Sequence, residues 1–279
     1  MKQIQFYKMS GCGNDFIIVD NRNSSIEETD IATFITNICR RKMSVGADGI
    51  ILIERSDTVD FRWRFYNSDG STAEMCGNGA RCAARFAFLN GIAGSEMAFE
   101  TLAGMVSASV SDDAQVKIRM TDPSNLQMDI PIVLKSGTLT IHKVNTGVPH
   151  VGVFVDDIHK APVNEMGREI RFHKDFAPAG TNVNFIGMLP DKTVAIRTYE
   201  RGVEDETLAC GTGSVACALF VAQKFGLLSP VRIMTRSGGC LCIYFTFRQG
   251  IFSDVSLEGD ARVIYRAELD EEAWKYPAA

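Results

Sequence analysis

The sequence is poor in the residues that build metal and nucleic-acid sites. Only four of its 279 residues are histidine, and it contains neither an HExxH motif nor a pair of cysteines with two to four residues between them. We therefore expect no metal site. Lysine and arginine form no cluster and the net charge is −5, which makes nucleic acid a poor candidate for a partner.

Long apolar runs are also missing. No stretch approaches the ~18 apolar residues of a membrane span, and the opening MKQIQFYKMSGCGNDF has no apolar segment of the kind found in signal peptides. We expect a cytoplasmic protein that does not enter a membrane. Its eight cysteines are then reduced by default.

The chain does contain one sequence motif that occurs twice. Residues 76–86 read CGNGARCAARF and residues 210–220 read CGTGSVACALF, 134 positions apart. The same offset aligns three further blocks, which pair residues 13–16 with 147–150, 46–48 with 180–182, and 101–104 with 235–238. A period this long indicates a duplicated domain, because the repeats of solenoids are only about 20–50 residues long.

The hydrophobic pattern predicts an α+β fold of two duplicated, pseudosymmetric domains. Short alternating or β-branched runs predict strands in both halves. Helices are predicted over residues 30–41, with Asp30 as N-cap, and over residues 76–90 and 210–225. The last two are small and apolar on all sides, so we expect each to be buried inside a curved mixed or antiparallel sheet.

The repeat also predicts where the two domains divide. We expect one domain to comprise residues 1–121 with 265–279, and the other to comprise residues 122–264. The crossing lies at Asp122-Pro123, where the strand pattern is broken.

Each copy of the motif places a cysteine at the start of a predicted helix. The unpaired N–H groups of a helix N-terminus carry partial positive charge and favour an anion such as a carboxylate. The same field lowers the pKa of a thiol from its usual ~8.5. Two such thiols, Cys76 and Cys210, suit inversion at a carbon, where one group removes a proton and the other returns a proton from the opposite face. The remaining cysteines are expected to be small buried hydrophobes: Cys12, Cys39, Cys82, Cys217, Cys240 and Cys242.

Several segments resemble motifs of the diaminopimelate epimerase family. They are FYKMSGCGNDFIIVD, FYNSDGSTAEMCGNGARC, GVPH, TNVNF and TYERGVEDETLACGTG. The resemblance covers nearly the whole chain. It implies an isomerase that needs neither pyridoxal phosphate nor any other cofactor, nor a metal. Its substrate would be a small amino acid, since the family interconverts LL- and meso-2,6-diaminopimelate for lysine and peptidoglycan synthesis.

The resemblance also implies roles for individual residues. Cys76 and Cys210 match the two catalytic thiols, by convention the proton donor and the proton acceptor for one direction. Glu200 matches the acid that meets the reacting ammonium, and His150 lies beside the catalytic pair. The implied substrate contacts are Asn14, Asn67, Gly77, Asn78, Asn182, Glu200, Arg201, Gly211 and Thr212. Of these, Arg201 would bind the distal carboxylate, and Asn184 is the alternative to Asn182.

Departures from the family pattern keep other interpretations open. Val148 stands where the family often has asparagine, and Gly49 where some members have glutamine. A second hypothesis is a proline racemase or hydroxyproline epimerase, although these typically have histidine at the position of Asn78. A third is a thiol-free isomerase of the phenazine-biosynthesis type, against which both cysteines argue. From a different class, a dithiol redox or ligand-binding protein is a further hypothesis. The oligomeric state is also open, a homodimer being one option.

Overall fold

The computed structural model describes residues 4–26, 30–111 and 113–276. Two compact units are present. The first is Met1–Ile118 with Asp260–Ala279, and the second is Arg119–Gly259. The domain limits predicted from the sequence stay a prediction. Their terminal residues 1–3 and 277–279 lie outside the described ranges.

The first unit contains eight strands and two helices among its described residues. The strands are β1 Ile4–Gly11, β2 Asn14–Asp20, β3 Gly49–Glu54, β4 Phe61–Asn67, β5 Glu96–Thr101, β6 Gly104–Val110, β7 Gln115–Arg119 and β17 Arg262–Leu269. Helix α1 (Ile31–Cys39) connects β2 to β3, and helix α2 (Gly77–Leu89) connects β4 to β5.

Hydrogen bonding orders these strands as β17-β1-β2-β3-β4-β5-β6-β7. Only β2–β3 and β4–β5 are parallel. Those are the two connections that contain a helix, as parallel neighbours require a crossover.

The second unit repeats this arrangement with its own strands and helices. The strands are β8 Ser124–Leu134, β9 Gly137–Asn145, β10 Pro149–Phe154, β11 Asn182–Met188, β12 Val194–Glu200, β13 Asp205–Thr207, β14 Val231–Met234, β15 Cys240–Arg248 and β16 Ile251–Asp260. Helix α3 (Val163–Arg171) connects β10 to β11, and helix α4 (Gly211–Phe225) lies between β13 and β14.

The strand order of the second unit is β8-β9-β10-β11-β12-β14-β15-β16, with short β13 pairing to the end of β12. Only β10–β11 and β12–β14 are parallel. Each unit therefore has the same succession of parallel and antiparallel pairs, and the predicted α+β fold is confirmed.

Helices α2 and α4 are buried because most of their side chains are small or apolar, and the buried guanidinium of Arg81 in α2 is hydrogen-bonded. Nine residues of α2 and ten of α4 are buried. Helix α2 packs on β1, β2, β3 and β6, and α4 packs on the corresponding strands of the second unit. Burial of one side chain such as Leu219 or Phe220 stabilises the fold by about 1.5–3 kcal/mol. Helix α4 ends at Gly226, whose φ of 69° is left-handed.

The structure departs from the sequence predictions at three places. Asp30 is the N-cap residue of α1, as predicted, but its φ of 60° is left-handed and its side chain makes no cap hydrogen bond. Helix α3 was not predicted, although Glu165 in its first turn and Arg171 in its last turn are typical helix-end residues. Cys240 is exposed and Cys242 is half-buried, because β15 turns one of its faces to solvent.

The strand pairing also corrects the alignment of the two halves. The offset of 134 places Asn182 on Asp48, but Asn182 pairs with His150 as Gly49 pairs with Phe16. The offset is therefore 133 in β3 and β11. None of the helices in the described ranges is long and apolar enough to span a membrane, and the cytoplasmic location stays a prediction.

Candidate active site

Cys76 occupies the N-cap position of α2 in the first unit. Its backbone is extended, with φ −146° and ψ 117°, and its side chain is half-buried. Gly77 follows, and a Cβ built there would meet nothing closer than the Cδ1 of Ile118 at 3.7 Å. The first turn of α2 therefore presents backbone N–H groups with little side-chain bulk, as an anion site requires.

Asn14 holds its amide oxygen against this thiol. The Oδ1 of Asn14 accepts a hydrogen bond from the Sγ of Cys76 at 3.5 Å. The Nδ2 of Asn14 donates to the Oδ2 of Asp48 at 2.6 Å, and Arg41 binds the other oxygen of Asp48 at 2.9 Å. A carboxylate only accepts, so Asp48 determines that Asn14 presents an acceptor to Cys76.

Arg81 supports the same helix end from inside the core. Its guanidinium is fully buried and donates to the backbone oxygens of Gly77 and Asp260, and to the Oδ1 of Asn78 at 3.1 Å. The side-chain amide of Asn78 is thereby engaged in positioning the first turn of α2.

Asn67 lies at the end of β4, where it pairs with Gly49 on β3. Its Nδ2 donates to the Oγ of Ser71 in the adjoining turn at 3.0 Å. A Cβ at Gly49 would lie 2.5 Å from the carbonyl oxygen of Tyr66. A side chain at position 49 would therefore force this strand pair to shift.

Cys210 occupies the matching N-cap position of α4 in the second unit. Its backbone is extended, with φ −123° and ψ 112°, and its side chain is buried. The Oγ1 of Thr212 lies 3.5 Å from the Sγ of Cys210 and 2.9 Å from the Nε2 of His150. Three predicted site residues therefore form one connected group.

His150 is completely buried, and burial lowers its pKa to about 3. The nearby cation Arg201 acts in the same direction. His150 is therefore neutral, with one ring nitrogen protonated. The Nδ2 of Asn184 lies 3.1 Å from the Nδ1 of His150 and donates to the Val151 carbonyl oxygen at 2.9 Å.

Glu200 ends β12 with a carboxyl group that is largely withdrawn from water. Burial raises its pKa, and a hydrogen bond from the Oγ1 of Thr207 to its Oε2, at 2.7 Å, acts in the opposite direction. A carboxyl group held in this way is suited to meet an ammonium, which would replace the lost water.

Asn182 positions the backbone of Arg201. The Oδ1 of Asn182 accepts from the backbone N–H of Arg201 at 2.9 Å, and its Nδ2 donates to the Pro149 carbonyl oxygen at 3.1 Å. The guanidinium of Arg201 is half-buried, and its Nη1 lies 3.4 Å from the Ala179 carbonyl oxygen.

Three other buried cysteines are held as neutral thiols. Burial raises the pKa of Cys39 and of Cys82 to about 12, and raises that of Cys217 well above its ordinary value. Within the described ranges, no three His, Cys, Asp or Glu side chains are grouped so as to hold a metal ion.

Two supporting residues were not predicted from the sequence. Asp48 orients Asn14, and Thr198 donates from its Oγ1 to the Oδ1 of Asn184 at 3.0 Å. A signal existed for Asp48, because it lies in one of the repeated blocks. Thr198 had none, because it reaches the site only through the pairing of β12 with β11.

Comparison with known proteins identifies a matching family and similar sequences. The family model described as diaminopimelate epimerase matches residues 6–126 and 142–245. The chain is 44% identical over 284 residues to a protein of Aquifex aeolicus (strain VF5) named diaminopimelate epimerase, covering 98% of this chain and 100% of that one.

Solved structures with low sequence identity share the fold. A phenazine biosynthesis protein of Bacillus anthracis has a TM-score of 0.71 at 16% identity, with 96% of this chain and 99% of that chain covered. A hydroxyproline epimerase of Agrobacterium vitis, solved with bound trans-4-hydroxy-L-proline, has a TM-score of 0.67 at 15% identity, with 99% and 96% covered. At these identities the likeness concerns the fold alone.

Proposed function

The chain belongs to the diaminopimelate epimerase family, and we propose that it interconverts LL- and meso-2,6-diaminopimelate by a two-thiol mechanism without a cofactor. The observation that carries this proposal is the placement of both repeated cysteines. Cys76 and Cys210 each cap the N-terminus of a buried helix, in motifs that match the family.

The reaction balances with these two groups alone. The thiolate of one cysteine takes the Cα proton of the substrate, and the electron pair stays on the carbon as a carbanion. The thiol of the other cysteine then gives its proton to the opposite face of that carbon. No net oxidation occurs, and the two sulfurs end with exchanged protonation states.

The helix ends supply what the carbanion needs. A Cα–H is a far weaker acid than a thiol, so the barrier falls only if the developing charge on the α-carboxylate is stabilised. The N–H groups after Cys76 and Cys210 are suited to bind that carboxylate, with Gly77, Asn78, Gly211 and Thr212 as the first-turn residues.

The remaining predicted residues suit the rest of the substrate. The carboxyl group of Glu200 is suited to the reacting ammonium, and Arg201 is suited to the distal carboxylate by a charge-assisted hydrogen bond. Asn14, Asn67 and Asn182 would bind or frame the distal end. For Asn182 the backbone contact to Arg201 supports a positioning role.

Proton NMR in D₂O tests this function directly. Pure protein incubated with LL-diaminopimelate should form the meso isomer and incorporate deuterium at the α-carbon. Activity should survive EDTA and should not depend on added pyridoxal phosphate. Substrate binding without deuterium incorporation would instead support a dithiol ligand-binding or redox protein.

The proline racemase alternative is not favoured. Its structural relatives are only 14–15% identical to this chain, whereas the sequence relatives at 44–45% identity are named diaminopimelate epimerase. Proline in the same NMR experiment serves as the comparison substrate and should not exchange.

A further inference from the structure

The side chains that pack behind the two thiols differ between the two units. In the second unit, Thr198 on β12 pairs with Asn184 on β11, and Asn184 contacts His150 on β10. The equivalent strand positions of the first unit are occupied by Phe65, Ile51 and Phe16. Three polar residues therefore support the helix end at Cys210, whereas three apolar residues occupy the equivalent positions at Cys76.

The glycine in each first turn confirms these equivalences. A Cβ built on Gly213 would collide with the Oδ1 of Asn184, whereas a Cβ built on Gly79 would meet the Cδ1 of Ile51 at 3.2 Å and Phe16 at 3.5 Å. Each helix end thus lies directly against its group of three, and the two groups occupy the same place in their units.

The hydrogen bonds of the three polar residues have one possible direction. The Nδ2 of Asn184 donates to the Val151 carbonyl oxygen, which can only accept, and this determines which end of the amide faces His150. An amide nitrogen cannot accept, so the Nδ1 of His150 accepts and its Nε2 carries the proton. That Nε2 donates to the Oγ1 of Thr212, which leaves the Thr212 hydroxyl hydrogen for the Sγ of Cys210.

We propose that Asn184 is a positioning residue that fixes the tautomer of His150 and thereby makes the Thr212 hydroxyl a hydrogen-bond donor to Cys210. The inference deepens the proposed function, because it identifies what prepares one of the two thiols as the base. Four hydrogen bonds from Thr198 through Asn184, His150 and Thr212 all point toward the sulfur, and such chains strengthen one another in a buried site.

A donor at the sulfur stabilises the thiolate, so it lowers the pKa of the Cys210 thiol. Cys76 meets the opposite partner, because Asn14 presents an acceptor oxygen that favours the protonated thiol. The duplicated fold therefore contains a built-in difference: Cys210 is favoured as thiolate and Cys76 as thiol in the free protein.

Other charged and titratable groups of the second unit act on these four hydrogen bonds without reversing their direction. Burial and, to a smaller extent, Arg201 just after β12 disfavour a cation on His150 and so keep that ring neutral. Cys217 on α4 is fully buried, and its raised pKa keeps it neutral beside Cys210. The carboxyl group of Glu200 is engaged by Thr207.

The pH dependence of alkylation tests the inference on the full chain. Initial rates of iodoacetamide reaction, resolved for Cys76 and Cys210 by peptide mass spectrometry, follow the thiolate fraction of each cysteine. We expect the midpoint for Cys210 to lie below that for Cys76. Asn184→Ala should raise the Cys210 midpoint by about one pH unit and leave the Cys76 midpoint unchanged.

Matched variants separate positioning from a general structural effect. Thr212→Val should raise the Cys210 midpoint and Thr212→Ser should restore it. Asn184→Ala combined with Thr212→Val should shift it no further than Thr212→Val alone, because both act through one hydroxyl. Thr198→Val, which keeps the side-chain volume, should give a smaller shift in the same direction and serves if Asn184→Ala does not fold.

Two results would overturn the inference. One is an unchanged Cys210 midpoint in both Asn184→Ala and Thr198→Val, and the other is equal movement of the Cys76 and Cys210 midpoints. Alkylation needs no turnover, so the outcome is independent of the NMR assay. Loss of epimerisation with these shifts intact would refute the proposed function alone.

Discussion

The Oδ2 of Asp48 accepts a hydrogen bond from the Nδ2 of Asn14 at 2.6 Å, and this bond decides which end of the Asn14 amide meets Cys76. The two residues are 34 positions apart in the chain. They meet because β2 and β3 are parallel neighbours, so that the starts of the two strands lie at the same edge of the sheet.

Removal of this carboxylate should therefore impair catalysis although none of the predicted substrate-binding residues is substituted. We expect Asp48→Ala to lower kcat/KM about tenfold, the size of one hydrogen bond to a charged group. Arg41→Ala is the matched control. It removes the exposed cation that binds Asp48 but leaves the bond to Asn14 intact, so its effect should be smaller. Equal losses in the two variants would refute the orienting role of Asp48.

The two helix-capping thiols should each be indispensable. Cys76→Ala and Cys210→Ala should each lower kcat by about 10²–10⁴-fold, because inversion needs a group on both faces of the carbon. Cys82→Ala and Cys217→Ala should retain kcat and show only a lower Tm, since both thiols are buried packing residues. A Cys210→Ala variant that epimerises at the wild-type rate would rule out the two-thiol mechanism.

The buried carboxyl group of Glu200 predicts a pH-dependent difference in stability. Burial raises its pKa in the folded protein above that in the unfolded chain, so its contribution is most favourable when it is protonated. Relative to Glu200→Gln, the wild type should lose stability as pH rises through the folded-state pKa. Thermal unfolding of both proteins between about pH 4 and pH 8 measures the difference in Tm. A constant difference would contradict the shift.

Arg201 should act on substrate affinity more than on chemistry. Arg201→Ala should raise KM about 10- to 100-fold with a smaller change in kcat, because a charge-assisted hydrogen bond to a carboxylate is lost. Arg168→Ala removes an arginine that lies 5.3 Å from the centre of the Phe172 ring, and it should leave KM unchanged. Unaltered kinetics in Arg201→Ala would exclude this residue from the site.

A methyl group added to the first-turn glycine should lower kcat more in α4 than in α2. Gly213→Ala places a Cβ against the Oδ1 of Asn184 and 3.3 Å from the Sγ of Cys210, so the thiol or its support must move. Displacement of about 1 Å at a reacting group can cost 10²-fold in rate. Gly79→Ala meets the end of Ile51 at 3.2 Å, a flexible side chain that can give way, and lies at an ordinary contact distance of 3.5 Å from Phe16 and Trp63. Similar kcat values in the two variants would contradict this asymmetry.

The helices that carry the site were predictable from the sequence to within a few residues. Helix α2 was expected over residues 76–90 and spans Gly77–Leu89, and α4 was expected over residues 210–225 and spans Gly211–Phe225. Small apolar residues on all sides, a glycine after each helix and the repeated motif all pointed the same way. Helix α3 escaped notice because its apolar face consists only of Val163, Met166 and Ile170, and Gly167 lies in its middle.

Supporting contacts were less predictable than the residues they support. Cys76 and Cys210 could be singled out because local chain pattern places a residue at a helix start. Thr198 reaches Asn184 only through a strand pair, and no feature of the sequence near either residue records that pairing.

The sequence by itself determined that the fold is duplicated and that each half carries a thiol at the start of a buried helix, since both follow from patterns along the chain. Tertiary structure alone decided what lies behind each thiol. Strand register sets which side chains share a face, and a slip of one residue exchanges the faces. Alignment by sequence placed Asn182 on Asp48, whereas the pairing places Asn184 on Ile51 and Thr198 on Phe65. The polar support of Cys210 and the apolar support of Cys76 exist only in that register.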